Sequence, residues 1–245
     1  VDDIAKTLGH ARAFISNPIV VDELDDIARI SGHPLFPRKS IFHALNQKAT
    51  ARGFARQQTR RYEEMRLIVA HLGVGITVGA HMEGRVVDVN QGFDGYGPFS
   101  PKRPGTLPAG DLVRLCCSGK YSKEEVEKMV MGGGGLGAWM GTEDVAKVER
   151  MAYVEGDVTA KLIFEAMAYN VAKEIASLSA VFSGKLDAIL LTGGIANSQR
   201  FVQQIIDRVK FIAPVHVFPG GDEMEALAFN VLAALRGERP ISIYQ

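Results

Sequence analysis

His71-Leu-Gly-Val-Gly75 and Thr192-Gly-Gly-Ile-Ala-Asn197 are the two stretches of this chain whose residue types suit chemistry on phosphate. Each closes a short apolar run of strand character and puts glycine where the chain must turn. Gly73 and Gly75 carry no Cβ and can take positive φ, so backbone N–H groups can come close to an anion. The second stretch reads as a buried strand, Leu186–Thr192, ending in a Gly-Gly turn before a helix that starts near Asn197 or Ser198. Two such strand–glycine-turn units on one chain suggest a nucleotide held at its phosphates and at its nucleoside end.

The elements that must position these turns follow from periodicity. Leu67–Leu72, Thr77–Met82 and Arg85–Val89 read as three short strands, with a Gly-rich loop from Gly92 to Gly110 behind them. Ahead of them, Ile4–Ile15 has helical spacing, Pro18–Asp22 reads as a short strand and Arg38–Tyr62 as a long helix. Helices are expected at Asp111–Ser118, Ser122–Met131, from Glu143 to Arg150, over Gly156–Phe182, at Ser198–Val209 and at Glu223–Arg236, with a strand at Val215–Phe218. The four glycines Gly132–Gly135 predict a segment without regular structure. Strands in a meander followed by strand–helix–strand–helix imply an α/β domain with a mixed sheet packed by helices.

Bulk composition excludes several classes. The 245 residues carry 28 Lys+Arg against 28 Asp+Glu, so net charge gives no case for nucleic acid or an anionic membrane. No window holds the uncharged apolar run that spans a bilayer. The charged, mixed start VDDIAKTLGHAR does not read as a secretory leader. The only cysteines, Cys116 and Cys117, are adjacent in an apolar helical run and read as core thiols of a cytoplasmic protein.

Four pieces taken in order carry a resemblance: Lys39-Ser-Ile-Phe-His-Ala-Leu-Asn-Gln47, Ala70-His-Leu-Gly-Val-Gly75, Asp94-Gly-Tyr-Gly-Pro-Phe-Ser-Pro101 with Arg103, and Leu191-Thr-Gly-Gly-Ile195. Together they resemble the butyrate kinase branch of the acetate kinase family, within the actin, Hsp70 and sugar-kinase superfamily. The likeness implies an actin-like (ribonuclease H-like) fold and reversible transfer of the ATP γ-phosphoryl group to a short- or branched-chain fatty acid, with Mg²⁺. It makes Arg103 the arginine on the transferring phosphoryl group, His43 a transition-state stabiliser, Asp22 an acid near the phosphoryl group and Glu223 the acid near magnesium. It assigns His71, Leu72, Gly73, Val74 and Gly75 to the phosphate turn. Gly193, Gly194, Ile195, Ala196 and Asn197 fall at the ribose and base, and Asp144 at adenosine. Phe42 becomes an apolar wall, and Gly95 falls where acetate kinases place a proline, which leaves room for a longer acid. A homodimer or larger homo-oligomer is implied as well.

The chemistry is self-consistent. A carboxylate is already ionised at neutral pH and needs no general base; what it needs is relief of anion–anion repulsion and in-line placement by cations and donors. The residues also have plainer readings. Arg103 in a Pro-rich loop can be a surface charge, Asp22 a helix cap, and Glu223 an acid favoured by a helix start. His10, His33, His81 and His216 have no motif around them and read as structural.

The family begins with a further N-terminal lobe that has no counterpart here. The expected division is therefore residues 1–21 as hinge and remnant, 22–232 as the second, nucleotide- and acyl-binding lobe, and 233–245 as a tail. Val74 and Ala146 depart from family residues in the turn and near the base. The alternatives are a non-catalytic nucleotide-binding piece or another kinase of the superfamily.

Overall fold

The computed structural model describes residues 2–7, 9, 13–221, 223–238 and 241, and the side chain of Glu223 lies outside the described set. Among the described residues ten α-helices and five strands follow in order. They are α1 (Asp2–Thr7), α2 (Asp26–Arg29), α3 (Ala44–Gln57), β1 (Leu67–Leu72), β2 (Ile76–Met82), β3 (Arg85–Val89), α4 (Ala109–Cys116), α5 (Lys123–Met131), α6 (Gly135–Met140), α7 (Val145–Tyr153), α8 (Val158–Leu178), β4 (Ala188–Gly193), α9 (Gln199–Val209), β5 (Val215–Pro219) and α10 (Glu223–Leu235). The sheet order is β3-β2-β1-β4-β5. β1, β2 and β3 form the antiparallel meander, while β1–β4 and β4–β5 are parallel. A parallel neighbour cannot be reached by a tight turn, and the chain between β3 and β4 supplies α4 to α8 for the crossover.

Alternation along the central strands divides the molecule into two apolar layers. Ile68, Ala70, Leu72, Val78, Ile189 and Leu191 face α8 and α9, where Phe164, Met167, Val171, Ile175, Phe201 and Ile205 complete the main core. Leu67, Val69 and Leu190 face the other way, onto Ala51, Phe54 and Ala55 of α3. Both faces of β1 and β4 are thus buried, and so both strands read as continuous hydrophobic runs. Helix starts follow their capping residues. Ser122 and Glu125 make a reciprocal capping box on α5, and Asp144, Asp157 and Ser198 accept from backbone N–H groups at α7, α8 and α9.

Several sequence expectations differ from the structure. Within the predicted helix Ile4–Ile15, residues 4–7 are helical as part of α1 and residues 9 and 13–15 are not, while residues 8 and 10–12, with His10, lie outside the described set. Pro18–Asp22 forms no strand, because Ile19 and Val21 use their carbonyls on Phe42 N–H and the Ser40 hydroxyl instead of on a sheet. The helix expected from Arg38 starts only at Ala44, since Arg38 is a clamp: it donates to Asp88 of β3, to the Ala28 carbonyl and to the Tyr96 hydroxyl. The glycine run does not stay irregular to its end, for α6 opens at Gly135. That residue has φ +60°, and a Cβ there would lie 1.8 Å from the Ser100 carbonyl oxygen, so glycine allows the close contact rather than breaking the helix. Cys116 and Cys117 are exposed rather than core thiols, because α4 buries no residue.

Candidate active site

β1, β2, the first turn of α3 and the loop after β3 bring His43, His71, Gly75 and Arg103 to one spot. The His43 and His71 rings stack with centroids 3.9 Å apart at 16°. A Cβ on Gly75 would lie 2.2 Å from Arg103 Nη1 and 3.5 Å from His43 Cε1, so the turn, the guanidinium and the imidazole share a border. Gly73 similarly leaves room for His71, whose Nε2 is 2.8 Å from where a Cβ would be. Of the two freedoms that glycine offers these turns, neither Gly73 nor Gly75 uses positive φ, and what both contribute is the missing Cβ. The Val74 carbonyl accepts from the Ser100 hydroxyl at 2.8 Å and from Lys102 N–H at 3.3 Å, which fastens the turn to the loop that carries Arg103.

Arg103 is the electrostatic centre. Among the described residues no carboxylate pairs with it, its Nε is buried without a hydrogen-bond partner, and its guanidinium lies 5.3 Å from the Phe93 ring. Burial alone pulls its pKa below the usual arginine value. A half-buried cation with an orphaned donor needs an acceptor brought from outside, and a phosphate offers several oxygens in a geometry that a guanidinium matches. Burial, reinforced by Arg103, lowers the pKa of His43 to about 4. Burial and then His43 lower that of His71 to about 3. Both rings are therefore neutral at pH 7.

These shifts give a pH prediction. A histidine whose folded pKa lies below its unfolded value of about 6.5 is protonated first in the unfolded chain, so stability is fully present above about pH 6.5 and falls as pH drops toward 4. His81, buried and lowered to about 3, acts in the same direction. The thermal midpoint should fall steadily between pH 6.5 and pH 4; a flat midpoint over that window would contradict these neutral, buried states.

The other predicted residues fall into three groups. Leu72, Ile195 and Ala196 send their side chains into the main core, so only their backbone can meet a ligand. Gly193 has φ +92° and exchanges two backbone hydrogen bonds with Gly220, while Asn197 folds back on the Gly194 carbonyl at 2.9 Å. Asp144 is the exposed cap of α7, and that helix is joined to the Gly-Gly turn where the Ser198 hydroxyl donates to Glu149 at 2.7 Å. Asp22 is not gathered in with the histidines: its carboxylate accepts from Arg29 at 2.6 Å and from Leu24 N–H, and Arg29 holds its pKa down. Phe42 is buried in a separate cluster with Leu24, Ala44, Val86 and Val89. Gly95 lines a cavity of about 10 Å³ beside Phe93 and Arg103, where a Cβ would strike Gln91 at 2.7 Å. Glycine there accommodates the Gln91 side chain.

Sequence reasoning missed Asn46, Gln47, Thr77 and His81. Asn46 Oδ1 contacts His71 Nδ1 at 2.7 Å, and Thr77 Oγ1 contacts His43 Nδ1 at 2.8 Å. Their signal was positional. Asn46 and Gln47 lie three and four residues after His43, and Thr77 and His81 share one face of β2. A larger cavity of about 290 Å³, lined by Asn46, Thr50, Thr192, Gly220 and Phe229, opens beyond Asn46 at the C-terminal ends of β4 and β5. Among the described residues no three His, Cys, Asp or Glu side chains gather into a metal cage, and no helix is long and apolar enough to cross a membrane.

Comparison with known proteins gives a consistent result. Residues 34–216 match the acetokinase family. A probable butyrate kinase of Bacteroides thetaiotaomicron is 53% identical over 99% of this chain and 69% of its own length. Butyrate kinase 2 of Clostridium acetobutylicum is 50% identical over 100% of this chain and 68% of its own length. The chain thus spans about two thirds of these relatives. Among solved structures, Porphyromonas gingivalis acetate kinase superposes with a TM-score of 0.78 at 18% identity, over 87% of this chain and 61% of its own. A Francisella tularensis propionate kinase gives 0.73 at 22% identity, over 83% and 60%. These last two establish the fold, that of actin-like ATPases with a mixed sheet between helical layers. The chain belongs to the acetokinase family, phosphotransferases that act on a carboxylate.

Proposed function

We propose that the protein transfers the γ-phosphoryl group of ATP, reversibly, to butyrate or a related short- or branched-chain acid, and that this chain supplies the phosphoryl-binding side of its cleft. The observation that supports this most is Arg103, with a buried, orphaned Nε beside the Cβ-free turn at Gly75 and the stacked neutral histidines. ATP supplies the phosphoryl group when bound. Arg103 offsets the repulsion between it and the incoming carboxylate, and His43 adds an uncharged N–H donor. The turn His71–Gly75 lets the backbone approach the phosphates, and Gly193–Asn197, with Asp144, takes the nucleoside end. Phe93 and Gly95 flank the acyl side of Arg103, and Phe42 is assigned to the apolar wall of the acyl site.

Magnesium is assigned to Glu223 in this scheme, since in kinases the ion keeps waters and binds through one or two carboxylates and phosphate oxygens without a dedicated cage; Asp22, which Arg29 holds here, would reach the phosphoryl group once freed from that pair. We place residues 22–232 as the second of two lobes, and the protein in the cytoplasm, where ATP and reduced thiols such as Cys116 and Cys117 are at home. Exposed Ile15, Ile19, Val20, Leu35 and Phe36 support burial of that segment in a homodimer or larger homo-oligomer.

Hydroxylamine trapping of acyl phosphate by the full-length protein, over acids from acetate to valerate, tests the reading. Product should peak at butyrate or isobutyrate, with neighbouring lengths overlapping because one methylene is worth about 1–3 kcal/mol. Equal or better use of acetate would overturn the acid, and no acyl phosphate from any acid would overturn the kinase.

A further inference from the structure

The proton direction of one buried hydrogen-bond chain can be read from groups whose roles are fixed. Gln47 Nε2 lies 3.1 Å from the Thr77 carbonyl oxygen and 2.9 Å from Thr77 Oγ1. A carbonyl only accepts, so the amide nitrogen must be the end that faces Thr77, and Gln47 Oε1 must be the end that faces His81 Nε2 at 3.0 Å. His81 therefore donates from Nε2. Its other nitrogen, Nδ1, then accepts from the Tyr62 hydroxyl at 2.8 Å. At the far end, Thr77 Oγ1 already receives Gln47 Nε2–H and, at 3.4 Å, the His43 backbone N–H, which use both of its lone pairs. Its one proton has His43 Nδ1, at 2.8 Å, as acceptor. Were His43 protonated on Nδ1, the hydroxyl would receive three donors while its own proton went without a partner.

We propose that Tyr62, His81, Gln47 and Thr77 form a one-way hydrogen-bond chain that fixes His43 as the Nε2–H tautomer, with Gln47 and Thr77 as its positioning residues. His43 then turns a neutral N–H donor, rather than a lone pair, to the side of its ring away from Thr77, in the pocket it shares with Arg103 and Gly75. A donor there helps an anionic phosphoryl group and a lone pair would repel it, so the chain sets the sign of that contact. Space has been kept for it: a Cβ on Gly79 would lie 2.5 Å from Gln47 Oε1. Gln47, Thr77 and His81 are fully buried, which makes each misdirected proton costly. The assignment of His43's role rests on the proposed function; the tautomer itself does not.

Long-range ¹H–¹⁵N correlation spectra of the labelled chain at pH 7, with ring signals assigned by single histidine replacements, test the proposal. In the wild type, His43 and His81 should both show a protonated Nε2 and a bare Nδ1. Thr77→Ser should preserve the His43 pattern, whereas Thr77→Val should turn it into a tautomer mixture. In the acyl phosphate assay of the full-length protein, Thr77→Val should lower kcat about tenfold with little change in KM for ATP, and Thr77→Ser should restore it. A protonated Nδ1 on wild-type His43 would overturn the chain even if no variant folds. The predicted tautomer together with unaltered kcat in Thr77→Val would overturn the positioning role. Absence of turnover in the wild type would count against the kinase reading and leave the tautomer result standing.

Discussion

Arg103→Ala should lower phosphoryl transfer to butyrate about 10²–10³-fold while leaving the unfolding midpoint unchanged or slightly raised. Both halves follow from the same geometry. The guanidinium borders Gly75 and His43, where anionic oxygens would collect, and no other described side chain at that border carries a positive charge at pH 7, because His43 and His71 are held neutral. Its removal leaves carboxylate and phosphoryl group facing each other without a counter-charge. The folded chain loses little in exchange. Among the described residues the side chain has no ion pair, its Nε is buried without a partner, and its ring contact is the single approach to Phe93. The loop is held by backbone: Ser100 N–H donates to the Arg103 carbonyl at 2.9 Å, and Arg103 N–H to the Ser100 hydroxyl at 3.1 Å. A group that is a liability to stability and an asset to chemistry is what a binding site contains. Arg103→Lys should recover only part of the rate, since an ammonium has neither the fork nor the reach of a guanidinium. A large loss of stability, or a rate within threefold of wild type, would contradict this account of Arg103.

Gly193→Ala should destabilise the fold by about 3 kcal/mol or more, lowering the thermal midpoint by roughly 6–12 °C. The residue holds φ +92°, a conformation that side chains rarely adopt, and a Cβ there would lie 2.5 Å from the Leu72 carbonyl oxygen and under 3 Å from two more backbone atoms of Leu72. None of these is the movable end of a side chain, so β1 and β4 would have to part where they run in parallel. The same separation would move the two glycine turns relative to each other, and ATP affinity should fall with stability. The neighbouring Gly194 provides the control: it has ordinary φ and nothing within 4 Å of its Cβ position, so Gly194→Ala should change stability by less than about 0.5 kcal/mol. Urea unfolding of the two variants side by side decides the matter. Equal effects would mean that the Leu72–Gly193 contact does not bear on the fold.

Sheet and turns were legible because their signals are local. The apolar runs Leu67–Leu72 and Ala188–Gly193 lie between two helical layers, and a run buried on both faces announces itself in any window. Helix starts at Ser122 and Ser198 were legible for the same reason, since a cap bonds to the N–H three residues on. Segments whose partners are distant in sequence were misread. Arg38 looks like the start of a helix until its bonds to Asp88, 50 residues away, are seen. Gly135 looks like a breaker until the Ser100 carbonyl is placed against it. The site divides along the same line. Glycine turns and the motif arginine could be picked out, whereas Thr77 and Gln47 could not, because their importance lies in a register between α3 and β2 that no periodicity encodes. Cys116 and Cys117 show the converse, an apolar helix pattern whose expected core is not there.

In the proposed function, His43, His71, Gly75 and Arg103 form the place where phosphate is held. Titrating the ¹⁵N- and ¹³C-labelled chain with ATP and following the histidine ring resonances tests this, because His33 and His216 provide internal references in the same spectrum. Saturable shifts are expected at His43 and His71, little or none at His33 and His216, and loss of both shifts in Arg103→Ala. ATP binding that moves His33 or His216 and leaves His43 and His71 untouched would contradict it.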